Sequence, residues 1–499
     1  MAVFPWTQCW LRWRYRIRDG TRIRSYGPEV ERDIRRAAAR RRTPIWAETS
    51  GSTATPKRIL YTRWRVLLTK WTFIEAFVRV YRAYGGGLAS TLYVFRPFRH
   101  DRSLTSALVK ERGVPSRISL AQAPYRAESD PAIQALERRY GATAVRLWIL
   151  ALSNPGVLYG TNPSTLWLFF HEVATEWDRS RQFIVDLSRR PDLFDPAVHR
   201  VAARLAAPGG ANRISQIAGS PVPLPPSIFA PAAHMAICWT GGHVRPFVDR
   251  LRRYLPDDRY RIVPMYSMST ETVETIVHPS REEPRFLPLA PGVLYEFLHV
   301  DASDAPENLK MPADLVVGQS YVMVVSDAFG LRRYRTEDVF LCMGLVRGLP
   351  DLRFVGRRRL EYSFTGEKLS SAHLEAVFTR LRNETPLISA EAILACVPSQ
   401  PPGSALPHYK IAVMDAGPAE AGTDDLLAQQ CDEMIQQENV EYRYKRRSRR
   451  LGGIQIVRMS PSDVVARLTG SPAALDGQFK FLPLYGRLWE QLPGAGEIS

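Results

Sequence analysis

Between Thr49 and Lys57 the chain reads TSGSTATPK, a run of hydroxyls around one glycine that ends in an amine. The hydroxyls of Thr49, Ser50, Ser52 and Thr53 and the backbone N–H groups can donate to phosphate oxygens. Gly51 lets the backbone approach closely, and Lys57 adds a compact positive charge. Such a loop suits a polyphosphate. It is not the GxxxxGK[ST] loop of the P-loop NTPases, which counts against kinase-like and GTPase-like readings.

The order of these residues resembles the phosphate-binding signature of the adenylate-forming superfamily, with Ala54 where that signature carries a second glycine. PMYSMSTE, from Pro264 to Glu271, resembles its second signature, with one extra residue between Tyr266 and Glu271. The resemblance implies that Tyr266, Ser269 and Thr270 line the nucleotide. It also implies that Glu271 holds a Mg²⁺ that neutralises crowded phosphate oxygens. GLRRYRTEDV, from Gly330 to Val339, resembles the segment written YRxGD, with Glu337 in place of the glycine. Asp338 then binds both ribose hydroxyls, since a carboxylate can accept two hydrogen bonds at once.

A fourth element, RFVGRRRLEYSFTGEKLSSAHLEAVF, couples an arginine-rich turn, with Arg357 as a further nucleotide contact, to Gly366-Glu367-Lys368 and then a helix. Added to it are Trp239 to Gly242, Tyr295 to Leu298 and Asn439 to Arg443, in that order. Together these resemble the acyl acid-amido synthetases, the auxin-responsive promoter family, whose plant members join plant-hormone acids to amino acids. Near the C-terminus GQFKFLPL resembles the family's QxKxPR-like element, with Leu484 where arginine is usual. This implies Lys480 as the catalytic lysine, with Lys368 beside it, countering charge that grows on the α-phosphate. The region before the phosphate loop is much shorter than in plant members.

The implied activity is ATP-dependent activation of a small carboxylic acid as its acyl-AMP, followed by transfer to an amine or amino acid. The first three signatures are shared across the superfamily, so transfer to coenzyme A or a carrier-protein thiol is the alternative. A second alternative is a basic nucleic-acid-binding protein on a retired ligase fold.

The elements that must position these residues mix helices and strands, an α/β architecture. Val244, Phe247, Val248, Leu251 and Leu255 recur at helical spacing after Thr240-Gly241-Gly242. A hairpin turning at Asp327 to Gly330 should end near Asp338. Ser370 and Ser371 cap an amphipathic helix carrying Leu374, Val377, Phe378 and Leu381. Ala207 to Pro231 reads as a connector. Leu11, Trp13, Tyr15 and Ile17 alternate with Arg12, Arg14, Arg16 and Arg18, the period of an edge strand blunted by charge. By resemblance, residues 1–363 form a large ATP- and acyl-binding domain, 364–373 a hinge and 374–499 a small mobile domain.

At 499 residues and 45% hydrophobic, the chain has enough apolar content for two cores. Its most apolar region, Leu147 to Phe170, is broken by Asn154, Pro155, Asn162 and Pro163, so a membrane span is not expected. The first residues place arginines where a secretory signal carries its apolar segment. Five scattered cysteines fit a reducing cytoplasm and no zinc site. A formal charge of +17 would attract nucleic acid, anionic lipid or a phosphorylated substrate, yet YRYKRRSRR near Arg443 to Arg450 carries no recognition motif. HEVATE lacks the second histidine of a zinc protease, so His171 and Glu172 read as helical surface or packing residues. The arginine- and alanine-rich composition points to a bacterial specialised-metabolite setting.

Overall fold

The computed structural model describes residues 5–41, 44–48, 57–84, 91–95, 130–160, 162–240, 245–264, 276–278, 285–357, 361–401, 406–414, 422–469 and 481–492. Four parallel strands, Leu92–Val94, Val157–Tyr159, Met235–Cys238 and Arg261–Pro264, form one sheet in that order. Parallel strands need coverage on both faces. Helix Arg63–Tyr84 covers one face with Ala76, Val80 and Tyr81. A helical layer that includes Ala142–Ser153 and Pro163–Thr175 covers the other. The apolar stretch read from Leu147 is divided as its sequence suggests, because Asn154 takes a left-handed conformation (φ 44°) and ends the first of these helices. No described helix is long and apolar enough to cross a membrane.

A seven-stranded antiparallel sheet, whose edge strand Ile276–His278 meets helix Arg63–Tyr84, is ordered Leu309–Lys310, Leu294–His299, Ser320–Ser326, Tyr334–Val346, Leu349–Arg357, Arg285–Leu287, Ile276–His278. Its inner face meets Val30, Ile34 and Ala38, which recur every four residues along helix Pro28–Ala39. Gly330 sits in the expected turn with φ 111°, and a Cβ there would come within 2.7 Å of the Ile34 backbone. Only glycine lets turn and helix approach this closely. Asp327 shapes the same turn by accepting from the Phe329 and Leu331 amides at 2.8 and 3.0 Å. The following strand runs on to Val346, past the end near Asp338 expected from sequence. Its pairing with Leu349–Arg357 sustains it.

The C-terminal part holds strands Ile393–Ser399, His408–Met414 and Gln455–Arg458 with helices Ser371–Glu384 and Thr423–Glu438. Ser370 caps the first helix in a capping box with His373, and Leu374, Val377, Phe378 and Leu381 are buried, as the pattern requires. Alternation splits the sheet between two cores: Leu394, Cys396, Ile411 and Val413 face these helices. Ile393, Ala395, Val397, Ala412 and Met414 face the helical layer of the N-terminal part. Burial on both faces explains why Ile393–Ser399 is apolar without interruption.

Two sequence expectations are corrected. The N-terminal alternation is not a strand: Pro5–Arg14 is a helix, and Arg16 (φ 53°) turns the chain after it. Gln8 and Leu11, three residues apart, face inward, so the helical period takes precedence over the alternating one. The segment Ala207 to Pro231 contains helix Gly210–Gly219, with Ile217 buried and the Arg213 guanidinium donating to the Ala151 and Pro208 carbonyls at 2.7 and 2.9 Å. Helix Arg245–Arg252 buries Phe247, Val248 and Leu251, with Leu255 just beyond it, while Val244 lies outside the described residues.

Candidate active site

The segment from Thr49 to Lys57 connects the two strands of a hairpin. Strands Ile45–Glu48 and Arg58–Tyr61 pair antiparallel with Glu48 opposite Arg58, so the two ends of the loop are held together. Thr49, Ser50, Gly51, Ser52 and Thr53 lie outside the described residues. Lys57 lies within them. Its ammonium donates to the Tyr334 hydroxyl at 2.9 Å and stands 5.6 Å from the ring centroids of both Tyr334 and Tyr26. Two aromatic faces and a hydroxyl hold the cation. Tyr26 also fixes the hairpin, accepting from the Arg58 amide at 2.9 Å.

Tyr334 opens the strand that carries Asp338 four residues on. Asp338 is buried, and its Cα is paired across the ladder with that of Arg357, so the two residues assigned to the nucleotide are cross-strand neighbours. Immediately before Asp338, Glu337 has φ 68°. The glycine of the YRxGD pattern is gone, yet the backbone keeps the left-handed geometry that glycine normally supplies. Arg335 and Ser25 brace the substituted side chain, donating to Glu337 Oε1 at 2.8 and 3.2 Å.

The residue before Tyr334 anchors the same strand. Arg333 is fully buried and grips Glu296 with two parallel bonds of 2.8 and 2.9 Å. Its third nitrogen donates to the Asp19 and Thr21 carbonyls at 2.9 and 2.8 Å. Fork-to-carboxylate geometry with the remaining donor satisfied is what makes a buried ion pair tolerable. Arg24 adds a parallel bridge to Tyr334, its amide donating to the Arg333 carbonyl and its carbonyl accepting from the Arg335 amide. The N-terminal segment therefore buttresses the strand that carries Asp338.

Lys368 is exposed and left-handed (φ 46°), at the end of a turn between strands Glu361–Tyr362 and Leu369–Ser370. The turn is organised by Glu367, whose carboxylate accepts from the Phe364 and Thr365 amides at 2.7 and 2.8 Å and from the Tyr409 hydroxyl at 2.5 Å. Burial pushes this carboxyl up, but these donors outweigh it and hold it below the usual carboxylate range. Asn439 ties the turn to the C-terminal helices, donating to the Glu367 carbonyl at 2.9 Å while capping helix Val440–Arg447.

The segment holding Tyr266, Ser269, Thr270 and Glu271 lies outside the described residues, but it departs from the C-terminal end of strand Arg261–Pro264. Trp239 and Thr240 depart from the same end of the neighbouring parallel strand. Carboxyl ends of parallel strands are where α/β sheets bind ligands. Lys480 is also outside the described residues, and Phe481, which follows it, stacks on Phe247 at 5.2 Å. No cluster able to hold a metal is present among the described residues. His171 packs on Trp167 at 5.0 Å and shares a hydrogen bond with Tyr254, and Glu172 accepts from Thr143, as packing residues do.

Residues 286–357, the stretch from Phe286 through Glu296, Arg333 and Asp338 to Arg357, match the GH3 family central domain. The chain is 31% identical over 160 residues to indole-3-acetic acid-amido synthetase GH3.8 of Oryza sativa subsp. indica, covering 30% of this chain and 26% of that protein. It is 27% identical over 333 residues to probable indole-3-acetic acid-amido synthetase GH3.12 of Oryza sativa subsp. japonica, covering 57% and 52%. The aligned stretches thus span from about a quarter to about half the length of these relatives. Among solved structures, AtGH3.15 acyl acid amido synthetase in complex with 2,4-DB superposes with a TM-score of 0.71 at 16% identity, over 93% of this chain and 85% of that one. The likeness shows a shared mixed α/β fold.

Four further residues support those singled out from sequence: Tyr334 and Tyr26 meet Lys57, Glu296 pairs with Arg333, and Asn439 donates to the Glu367 carbonyl beside Lys368. Tyr334, Glu296 and Asn439 stood inside quoted motifs without an assigned role. Nothing in the sequence marks Tyr26, because its partner Lys57 is 31 positions away.

Proposed function

We propose that this GH3-type chain is an ATP-dependent ligase that adenylates a small carboxylic acid and transfers the acyl group to an amine or amino acid. The observation that carries the reading is the Lys57–Tyr334 hydrogen bond. It joins the end of the polyphosphate loop to the strand bearing Asp338, so one substrate could be held by its phosphates and its ribose together. The names of the related proteins, amido synthetases acting with indole-3-acetic acid, support the acid and the amide.

In this reading ATP enters as substrate. The acid's carboxylate oxygen forms a bond to the α-phosphorus as the bond to the bridging oxygen breaks, releasing pyrophosphate. Thr49, Ser50, Gly51, Ser52, Thr53 and Lys57 hold the phosphates, Asp338 and Arg357 the nucleoside, and Lys368 and Lys480 counter the growing charge. Tyr266, Ser269 and Thr270 complete the nucleotide contacts. Mg²⁺, assigned to Glu271 by sequence, would neutralise phosphate oxygens. The amine then attacks the carbonyl, loses a proton and displaces AMP. The turn 364–373 divides a large domain from a small one, whose rotation separates the half-reactions. A bacterial specialised-metabolite pathway is the setting that the composition favours.

Acid-dependent pyrophosphate release from ATP, screened over aromatic and aliphatic acids with and without amino acids, tests this. Release stimulated by an acid together with an amide product mass supports it. A thioester formed with coenzyme A, and no amide with any amine, overturns it.

A further inference from the structure

The N-terminal helix and the long helix Arg63–Tyr84 present an unusual surface. Burial is described for ten tryptophans, and the five after residue 140 are all buried. The five between residues 10 and 71 are all exposed, Trp13 at 76% and Trp64 at 66% among them. Trp10 and Trp13 are one turn apart on helix Pro5–Arg14, and Trp64 and Trp71 are two turns apart on Arg63–Tyr84, so each pair shares a helix face. Arg332 donates to the Tyr15 and Arg16 carbonyls at 3.1 Å, and Asp327, at the start of the same turn, pairs with Arg65 at 3.1 Å, so the end of the first helix and the start of the second meet one turn. Trp13 and Trp64, the chain neighbours of Arg14 and Arg65, are both exposed.

The same region is strongly cationic. From Pro5 to Arg41 there are eleven arginines against four acidic residues, a net +7. Arg14, Arg16 and Arg18 are exposed and meet no carboxylate among the described residues, and Arg14 lies over the Trp10 ring at 4.8 Å. Exposed indoles are costly in water but find their preferred place at the headgroup level of a bilayer. Arginines beside them are attracted by anionic lipid.

We propose that this tryptophan and arginine face docks the protein peripherally on an anionic membrane surface, with indoles seated among the headgroups and no segment crossing the bilayer. The charge disfavours a second copy as occupant, because two like cationic faces repel. The indoles stand out on convex helix faces instead of lining a groove, which suits a planar bilayer better than a nucleic-acid strand.

The test is co-sedimentation of the full chain with phosphatidylcholine vesicles with and without phosphatidylglycerol, at low and high salt, alongside tryptophan emission. Binding to the anionic vesicles with a blue shift, weakened by salt, is expected. A Trp13→Ala/Trp64→Ala variant should bind at least about tenfold more weakly. Arg14→Gln/Arg16→Gln/Arg18→Gln should lose roughly fivefold per charge and flatten the salt dependence. All five positions are exposed, and an unchanged melting temperature verifies the fold. Three results overturn the proposal: no binding to anionic vesicles at low salt, undiminished binding by both variants, or binding of single-stranded RNA or of a second copy, in place of vesicles, that the same substitutions abolish.

Discussion

The Lys57 ammonium donates to the Tyr334 hydroxyl at 2.9 Å, so the residue that ends the proposed polyphosphate loop is held by the residue that begins the Asp338 strand. Tyr334→Phe keeps the ring under the cation and removes only the acceptor. A hydrogen bond to a charged group is worth about 1.5–3 kcal/mol. The catalytic efficiency of acid-dependent pyrophosphate release should therefore fall roughly tenfold or more with respect to ATP, while the KM of the acid stays unchanged. Steady-state kinetics with each substrate varied separately will show whether the loss falls on the nucleotide.

Glu337 carries two opposing effects, a left-handed backbone (φ 68°) and bonds from Arg335 and Ser25. Glu337→Gly relieves the strain and loses the bonds, so stability should change by no more than about 1 kcal/mol. Glu337→Ala loses the same bonds with the strain kept, and should be less stable than the glycine variant by about 1 kcal/mol. Urea denaturation of the two variants separates backbone strain from side-chain pairing.

Glu367 is held below its ordinary value, so it favours the folded turn above the normal carboxylate range, and the benefit disappears as pH falls through its lowered value. The segment Ser363 to Lys368 should loosen on acidification below about pH 4.5. Glu367→Gln should remove this part of the pH dependence while lowering stability at neutral pH, because the amide presents a donor where only acceptors fit. Hydrogen exchange at the Phe364 and Thr365 amides across the acid range reads both effects.

Arg250 reaches from helix Arg245–Arg252 into the C-terminal sheet, donating to the Glu391 and Met414 carbonyls at 2.6 and 3.1 Å, with Trp167 under its guanidinium at 5.1 Å. Arg250→Met keeps much of the packing but strips both carbonyls of their donor, a loss of about 2–4 kcal/mol. Limited proteolysis should then release a fragment beginning near residue 364 faster than from the parent chain.

Local signals read through the sequence where one short segment contains both partners. Ser370 with His373, Asp327 with Phe329 and Leu331, and the apolar face of Arg245–Arg252 all lie within about two turns of chain, and their patterns are visible. The Asp338–Arg357 pairing was approachable because both residues belong to motifs. Long-range buttressing left no such trace. Tyr26 under Lys57 and the Arg333 fork onto Glu296 depend on tertiary packing that no spacing reveals. The N-terminal misreading has a related cause: every second residue from Arg12 to Arg18 is arginine, so charge imitates the period of a strand where a helix ends.

The Gln8 amide accepts from the Tyr295 amide at 2.8 Å and donates to the Val293 carbonyl at 3.2 Å, as a neighbouring strand would. A laboratory engineer trimming this arginine-rich leader to improve yield would strip a partner from the edge of a buried strand. The shortened polypeptide would present a raw sheet margin for other molecules to join, and inclusion bodies would be the predictable harvest. A purification handle belongs at the other terminus.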